Sequence, residues 1–282
     1  MNERKKEIMI LIKGAGDLAT GIAHRLKVCG FSIVMTEIEM PTTVRRTVAF
    51  SQAVFDGKTE VEGVKAVLVH NFNEINEVLN DGNIPVIIDP ECKAVKKIKP
   101  DIVVDAIISK VNCAKTFIND APVVIAVGPG FKAGADCHCV IESQRGHYLG
   151  RTIYHGSAIP DTGIPGNIGG YTVERIIRSC EDGIIIPMVN IGDYVEKGQT
   201  IAYVKTNSEK ADEYRKKYIY AEISGIVRGM LQEGVKVYKG MKSGDIDPRC
   251  EKKHCFTISD KARSIAGGVL EAILTLANKR EL

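Results

Sequence analysis

The amino-acid sequence predicts an α/β protein in which a parallel, nucleotide-type sheet is followed by a β-rich module and a C-terminal helix. Three observations predict it. Short β-branched runs alternate with longer amphipathic stretches through the first half. The first of these runs ends in a glycine turn that opens a helical pattern. In the second half, two segments repeat each other at a fixed offset.

Composition narrows the class. The 282 residues are 44% hydrophobic and 26% charged, with a net charge of +3, as in ordinary soluble domains. Basic pairs such as Arg45-Arg46, Lys96-Lys97 and Lys252-Lys253 are scattered, which sets nucleic-acid binding aside. The apolar run Ile8 to Ile12 stops at Lys13, so it reads as a strand and not as a signal peptide. No apolar run is long enough to span a bilayer. A cytoplasmic protein with its 8 cysteines reduced is the expectation.

Taken in order, "EIMILIKGAGDLATGIAHRL" is a buried strand, a glycine turn and a helix. Gly14, Gly16 and Ala19 fit G-x-G-x-x-A, with Asp17 and Thr20 on the first helical turn. "FSIVMTE" supplies a second strand ending at Glu37, where a Rossmann-like domain places the carboxylate for a ribose hydroxyl. Further strands are expected at 64–69, 84–89, 101–108 and 121–128, with helices at 44–56 and 72–80. The glycine turn has two readings, a phosphate cradle or simply a tight turn.

In the second half, "GIIIPMVNIGDYVEKG" (183–198) and "GIVRGMLQEGVKVYKG" (225–240) match at seven of 16 positions at an offset of 42. Short strands in two quasi-equivalent halves suggest a barrel-sandwich hybrid of the lipoyl or biotinyl type. The joining segment is long and charged, without a tight lysine turn, so Lys205 and Lys210 are expected to be unmodified. The chain then closes on a helix capped by Ser259 or Asp260, whose Gly267-Gly268 pair suggests close approach to another backbone. The expected domains are 1–120 (Rossmann-like), 121–179 (glycine-rich connection), 180–248 (barrel-sandwich module) and 249–282 (C-terminal helix segment).

"KGAGDLATGIAHRL", "GPGFKAGADCHCVIESQRGHYLGR", "GDIDPR" and "TISDKARSIAGGVLEAI", in this order, resemble the YqeB-type accessory proteins of selenium-dependent molybdenum hydroxylase systems. The resemblance runs over nearly the whole chain, although the segment 205–217 is longer than that family leads one to expect. It implies a maturation factor that equips a client molybdenum hydroxylase with its cofactor or labile selenium. A molybdopterin-type cofactor and NAD(P) are the candidate ligands, and a homo-oligomer is one possible assembly. Two rivals stand beside this reading. An NAD(P)-dependent oxidoreductase needs a proton-handling residue that no obvious Tyr-x-x-x-Lys or His-Asp arrangement supplies. A non-enzymatic scaffold or carrier is the other.

The candidate cofactor-binding residues are Gly14, Gly16, Asp17, Thr20 and Glu37 at the first turn, Arg45 and Arg46 as a phosphate clamp, and Gly128, Gly130 and Lys132 as a second anion cradle. Arg45 and Arg46 read equally as the solvent face of a helix, and the later glycines as an ordinary loop. Asp245 and Asp247 are spaced to bind Mg²⁺ or to form an Asp-Pro turn. Cys250, His254 and Cys255 lack a standard zinc spacing. In "DCHCVIES", strand alternation puts Cys137 and Cys139 on one face, able to address a soft metal with His147 if the chain turns back. Two thiols buried in a sheet are the competing explanation.

Overall fold

The computed structural model describes residues 8–207 and 214–278. Its contacts divide the chain into two units: unit 1 comprises 1–39, 49–162 and 258–282, and unit 2 comprises 40–48 and 163–257.

Unit 1 is built on one sheet. Its strands are β1 (Met9–Lys13), β2 (Ser32–Glu37), β3 (Lys58–Val61), β4 (Val64–Val69), β5 (Ile84–Ile88), β6 (Ile102–Asp105), β7 (Val123–Val127), β8 (Cys139–Ile141) and β9 (Thr152–Ile153). They lie in the order β3-β4-β5-β2-β1-β6-β7-β8-β9. β1 pairs in parallel with both β2 and β6, so both its edges are bonded, and Ile10, Leu11 and Ile12 have no exposed surface. Its helices are α1 (Asp17–Val28), α2 (Ala53–Asp56), α3 (Ile75–Asn80), α4 (Ala94–Ile98) and α5 (Asp260–Asn278). One core cluster joins Leu11, Val34, Val103 and Val124 of the strands to Ile75 of α3 and Ala94 of α4.

The predicted fold class, a Rossmann-like domain followed by a lipoyl-type barrel-sandwich module, is corrected by this structure. The sheet is mixed, with β3 and β9 antiparallel to their neighbours at the two edges. Crossover helices are scarce. The helix expected over 44–56 is a series of 3₁₀ turns ending in the four-residue α2, and the one expected over 72–80 yields only the six-residue α3 after a 3₁₀ turn. The β6–β7 connection has no helix at all. Apolar spacing there reports burial against the sheet, which a turn-rich segment satisfies as well as a helix does.

Unit 2 consists of two four-stranded sheets. Its strands are β10 (Ile176–Arg178), β11 (Gly183–Pro187), β12 (Tyr194–Val195), β13 (Thr200–Asn207), β14 (Tyr214–Tyr220), β15 (Gly225–Met230), β16 (Lys236–Val237) and β17 (Lys242–Asp247). One sheet runs β10-β17-β15-β12 and the other β14-β13-β11-β16. Exchanging the first four strands for the second four turns one order into the other, so the sequence repeat is a structural one. Gly183 and Gly225 show why glycine recurs. A Cβ on Gly183 would lie 2.1 Å from the Lys205 carbonyl, and one on Gly225 would lie 2.7 Å from that of Asp247. The two halves are joined by the β13–β14 ribbon, where Lys205 Nζ sits 4.9 Å from the Tyr214 ring centre. Lys210 lies outside the described residues.

Helix α5 returns to unit 1 and packs on α1. The two helices approach closely at Gly21, where a Cβ would meet that of Ala262 at 2.7 Å. Further along α5, a Cβ on Gly268 would fall 2.0 Å from the Gly150 carbonyl, whereas one on Gly267 would meet nothing nearer than Arg25 Nη1 at 3.9 Å. Replacing each by alanine should therefore have opposite effects. Gly268→Ala should destabilise unit 1 by about 1–3 kcal/mol through overpacking. Gly267→Ala should stabilise it by about 0.5–1 kcal/mol through helix propensity. Denaturant unfolding of the two variants decides the matter.

Candidate functional site

The central strand β1 is apolar until its last residue, Lys13, whose side chain is 1% exposed. A buried ammonium must be paired and hydrogen-bonded. Lys13 Nζ donates to Thr116 Oγ1 at 2.8 Å and to Asp120 Oδ2 at 3.0 Å. Thr116 Oγ1 donates in turn to Asp105 Oδ2 at 2.6 Å. Asp105 ends β6 and is in register with Lys13, so the two charges close adjacent strands. Its other oxygen accepts the Ile107 N–H at 3.2 Å. Burial, the largest influence, raises the Asp105 pKa above the ordinary carboxylate value, against the lowering effects of Thr116, Ile107 and Lys13.

The chain of polar groups runs from the sheet to the surface. Asp120, 19% exposed at its side chain, lines a cleft of about 690 Å³ with Asp101, Lys96, Lys99 and Asn119. Within reach of Lys13 and Asp105 lies Cys92, held at φ 53°, a left-handed conformation uncommon for a residue with a side chain. Burial raises the Cys92 pKa, with Asp89 and Asp105 adding to the effect and Lys13 and Thr36 opposing it. Asp89 itself caps α4, accepting the Lys93 and Ala94 N–H groups at 2.9 and 2.7 Å.

The first glycine turn has the expected strand–turn–helix order, and its polar groups are turned inward. The Gly14 N–H donates to the Thr36 carbonyl at 3.0 Å, and its α-carbon faces Ile107, whose Cα would lie 3.1 Å from an added Cβ. The close approach is thus to the protein's own backbone. Gly16 caps α1 without a side-chain bond, and Asp17 begins the helix. Thr20 Oγ1 bonds the Ala15 carbonyl and accepts the Phe50 N–H. Glu37 Oε2 takes the Ala15 N–H at 2.9 Å, and burial is the main cause of its raised pKa.

The other predicted residues fall elsewhere. Arg45 and Arg46 belong to unit 2, where Arg45 Nη2 donates to the His254 and Thr257 carbonyls and Arg46 Nε to that of Met230. Gly128 and Gly130 follow β7; added Cβ atoms would meet Ser143 Oγ at 2.7 Å and the Lys110–Val111 backbone at 2.8 Å. Lys132 is exposed, and its N–H bonds Asp136. Asp245 and Asp247 do not face a common cation site, since Asp245 bonds Arg175 and Asp247 bonds Arg249.

Cys137 and Cys139 are both fully buried, with burial pushing their pKa up to about 12 and about 11. β8 begins only at Cys139, so the alternation that put the two thiols on one face does not extend to Cys137. Cys137 joins the core cluster of Leu11 and Val140, while Glu271 of α5 acts on Cys139. His138 Nδ1 accepts the Val124 N–H at 2.9 Å, and His147 stacks edge-on against Tyr148. Among the described residues, no group of three His, Cys, Asp or Glu side chains is arranged to hold a metal. Nor is any helix long and apolar enough to cross a membrane.

Lys13, Thr116, Asp120 and Asp105 were not among the residues singled out from sequence. The available signal was a charged residue closing each of two apolar strands, "ILIK" and "IVVD".

These observations define a strand-rich α/β protein of two units, the larger carrying a buried charged chain that reaches a surface cleft. Over 271 residues the chain is 48% identical to the "Uncharacterized protein YqeB" of Escherichia coli (strain K12). The match takes in 96% of this chain and 48% of that protein, so the chain spans about half the length of the curated relative it matches. An identity this high makes the two homologous over the matched stretch. No protein-family model matches.

Among solved structures, the chain is similar to a succinylglutamate desuccinylase/aspartoacylase from Rhodobacter sphaeroides (14% identity, 85% of each chain, TM-score 0.28). An aspartoacylase family protein from Mesorhizobium loti (11%, 86% of this chain and 85% of that one, 0.25) and the ectoine utilization protein EutE (DoeB) from Ruegeria pomeroyi (11%, 85% of each, 0.26) are also similar. The functional expectation is corrected on the relative: YqeB is uncharacterized, and molybdenum hydroxylase maturation is not assigned to it. The similar structures are of desuccinylase and aspartoacylase type, and nothing in them or in the YqeB relative connects the chain to selenium or molybdenum-cofactor maturation, or to a nucleotide. The oxidoreductase and carrier alternatives gain no support from them either. TM-scores this low carry no reaction over to this chain.

Thiol burial has a direct readout. Iodoacetamide on the native protein should label the exposed Cys29, Cys113, Cys180 and Cys250, sparing the buried Cys137, Cys139 and Cys255 until denaturant is added. Peptide mass spectrometry checks this, and early labelling of Cys137 or Cys139 would show that β8 opens.

Proposed function

We propose that unit 1 binds a small polar molecule in the cleft lined by Lys96, Lys99 and Asp120, and exchanges a proton with it at Asp120. The observation that supports this reading is the Lys13 ammonium, buried beneath the cleft and bonded to Asp120 on one side and through Thr116 to Asp105 on the other. Here the ammonium joins a buried acid to one at the cleft wall, an arrangement that lets the protonation of one influence the other. Lys96 and Lys99 suit a carboxylate or similar anion, and Asp120 suits a hydroxyl or amine on the same molecule, so the reading favours an amino or hydroxy acid.

Calorimetric titration with glutamate, malate and lysine as probes tests it. An acidic probe should bind the parent protein and lose affinity about tenfold or more in a Lys96→Ala, Lys99→Ala double variant. Absence of binding by every probe, or unchanged affinity in the double variant, would sink the proposal.

Two further outcomes follow from the buried chain. Lys13→Met should cost about 3–5 kcal/mol of stability, because it leaves buried acceptors without their cation. The pH dependence has a definite sign. Asp105 holds its proton more tightly in the folded chain than in the unfolded one. Its stabilising contribution is therefore present below the ordinary aspartate pKa of about 3.9 and is lost as the pH rises through the raised folded value. Denaturant midpoints measured from about pH 3 to pH 7 should show a downward component with rising pH. That component should be absent in Asp105→Asn.

A further inference from the structure

Unit 2 contains a second charged cluster, in which Arg228 is the least satisfied cation. Arg175 Nη1 donates to Asp245 Oδ2 at 3.0 Å. Arg249 holds Asp247 through Nε at 2.9 Å and Nη2 at 2.6 Å. Arg228, 8% exposed, shares Asp247 with Arg249 through a long ion pair of 3.9 Å, and its buried Nε lacks a hydrogen-bond partner. Burial lowers its pKa most of all, the charges of Arg45 and Arg249 add to this, and Asp245 and Asp247 oppose it. His254 Nδ1 is likewise without a hydrogen bond, 4.0 Å from the same Asp247 oxygen. The side chains of Arg249 and His254 are 43% and 41% exposed, so the cluster opens to solvent on their side.

The internal repeat shows where this cluster departs from its counterpart. β15 and β17 begin in the same register as their counterparts β11 and β13, Ile226 with Asp247 and Ile184 with Lys205, but a bulge between Val227 and Gly229 takes Arg228 out of the pairing that Ile186 keeps with Tyr203. At the equivalent positions 42 residues earlier, Arg228 is matched by Ile186, Asp245 by Tyr203 and Asp247 by Lys205. The charges and the bulge thus belong to this half of the repeat alone. A buried guanidinium with an unmet donor costs stability wherever no anion meets it.

We propose that this cluster is a binding site for a phosphate-class oxyanion, with Arg228 at its floor and Arg249 and His254 at its mouth. A guanidinium fork matches such an oxyanion in shape and charge. The anion's source is either free phosphate or a phosphomonoester, and the two are separable by experiment.

The test is a thermal-shift and calorimetric titration of the full chain with inorganic phosphate, glycerol phosphate and acetate, each at ionic strength matched with chloride. Either phosphate compound should raise the melting temperature of the parent, and acetate should not. Arg228→Gln should weaken that binding about tenfold or more, yet be at least as stable as the parent in chloride. His254→Ala, at the exposed mouth, should weaken binding without altering the chloride melting temperature. A response to glycerol phosphate alone assigns the site to an ester, and a response to both assigns it to the phosphate group itself. Three results overturn the proposal: no response of the parent to either compound, an equal response in Arg228→Gln, or loss of stability in chloride for Arg228→Gln, which would make the arginine structural.

Discussion

The burial of one ammonium group organises much of unit 1. Lys13 sits at the end of the central strand, where its neighbours leave no route to water, and its charge is tolerable only if oxygen acceptors come to it. They come from the segment between β6 and β7, which brings Thr116 and Asp120 onto the sheet. That segment would ordinarily be a crossover helix. A helix supplies its own backbone bonds but presents side chains at fixed intervals, whereas an irregular chain can aim two acceptors at one nitrogen. The unusual backbone there fits this account, since Ile108, Lys110 and Lys115 all have positive φ. Such conformations cost energy and persist only where surrounding contacts hold them.

Both units place charge in the same way. Each sets a single cation within an otherwise apolar strand, Lys13 in β1 and Arg228 in β15, and brings aspartates near it: Asp105 of β6 and Asp120 of the β6–β7 segment to Lys13, Asp245 and Asp247 of β17 to Arg228. The difference lies in satisfaction. Lys13 is bonded, so its removal leaves acceptors stranded, while Arg228 holds an unmet donor at its Nε. The same residue class thereby serves stability in one place and is available for recognition in the other.

Much of the fold was legible in the sequence because strands buried on both faces read as β-branched runs. β1, β2, β4, β5, β6 and β7 all lie where such runs predicted them. The repeat was legible because Gly183 and Gly225 meet the same backbone crowding twice. The helical crossovers were misjudged because apolar spacing cannot distinguish a helix from turns pressed onto a sheet. The site was less legible. Lys13 and Asp105 look like strand boundaries until the parallel register sets them side by side. Arg228 looks like a lone charge in "GIVRGM" until Asp245 and Asp247 are seen across the ladder. The glycine turn was visible, but the contact it permits is internal, with Ile107, and no sequence pattern reports which partner a glycine approaches.

The interleaving of the repeat bears on how unit 2 can fold. Each sheet takes two strands from the first half and two from the second, so neither half completes a sheet by itself. A chain with only its first half formed would expose unpaired strand edges, the kind of surface that invites association between molecules. The two halves are therefore expected to condense together, closing long-range pairings such as β10 with β17. Duplication in this protein has produced a single cooperative body with one symmetric frame, and not two modules that could be separated, shuffled or lost one at a time.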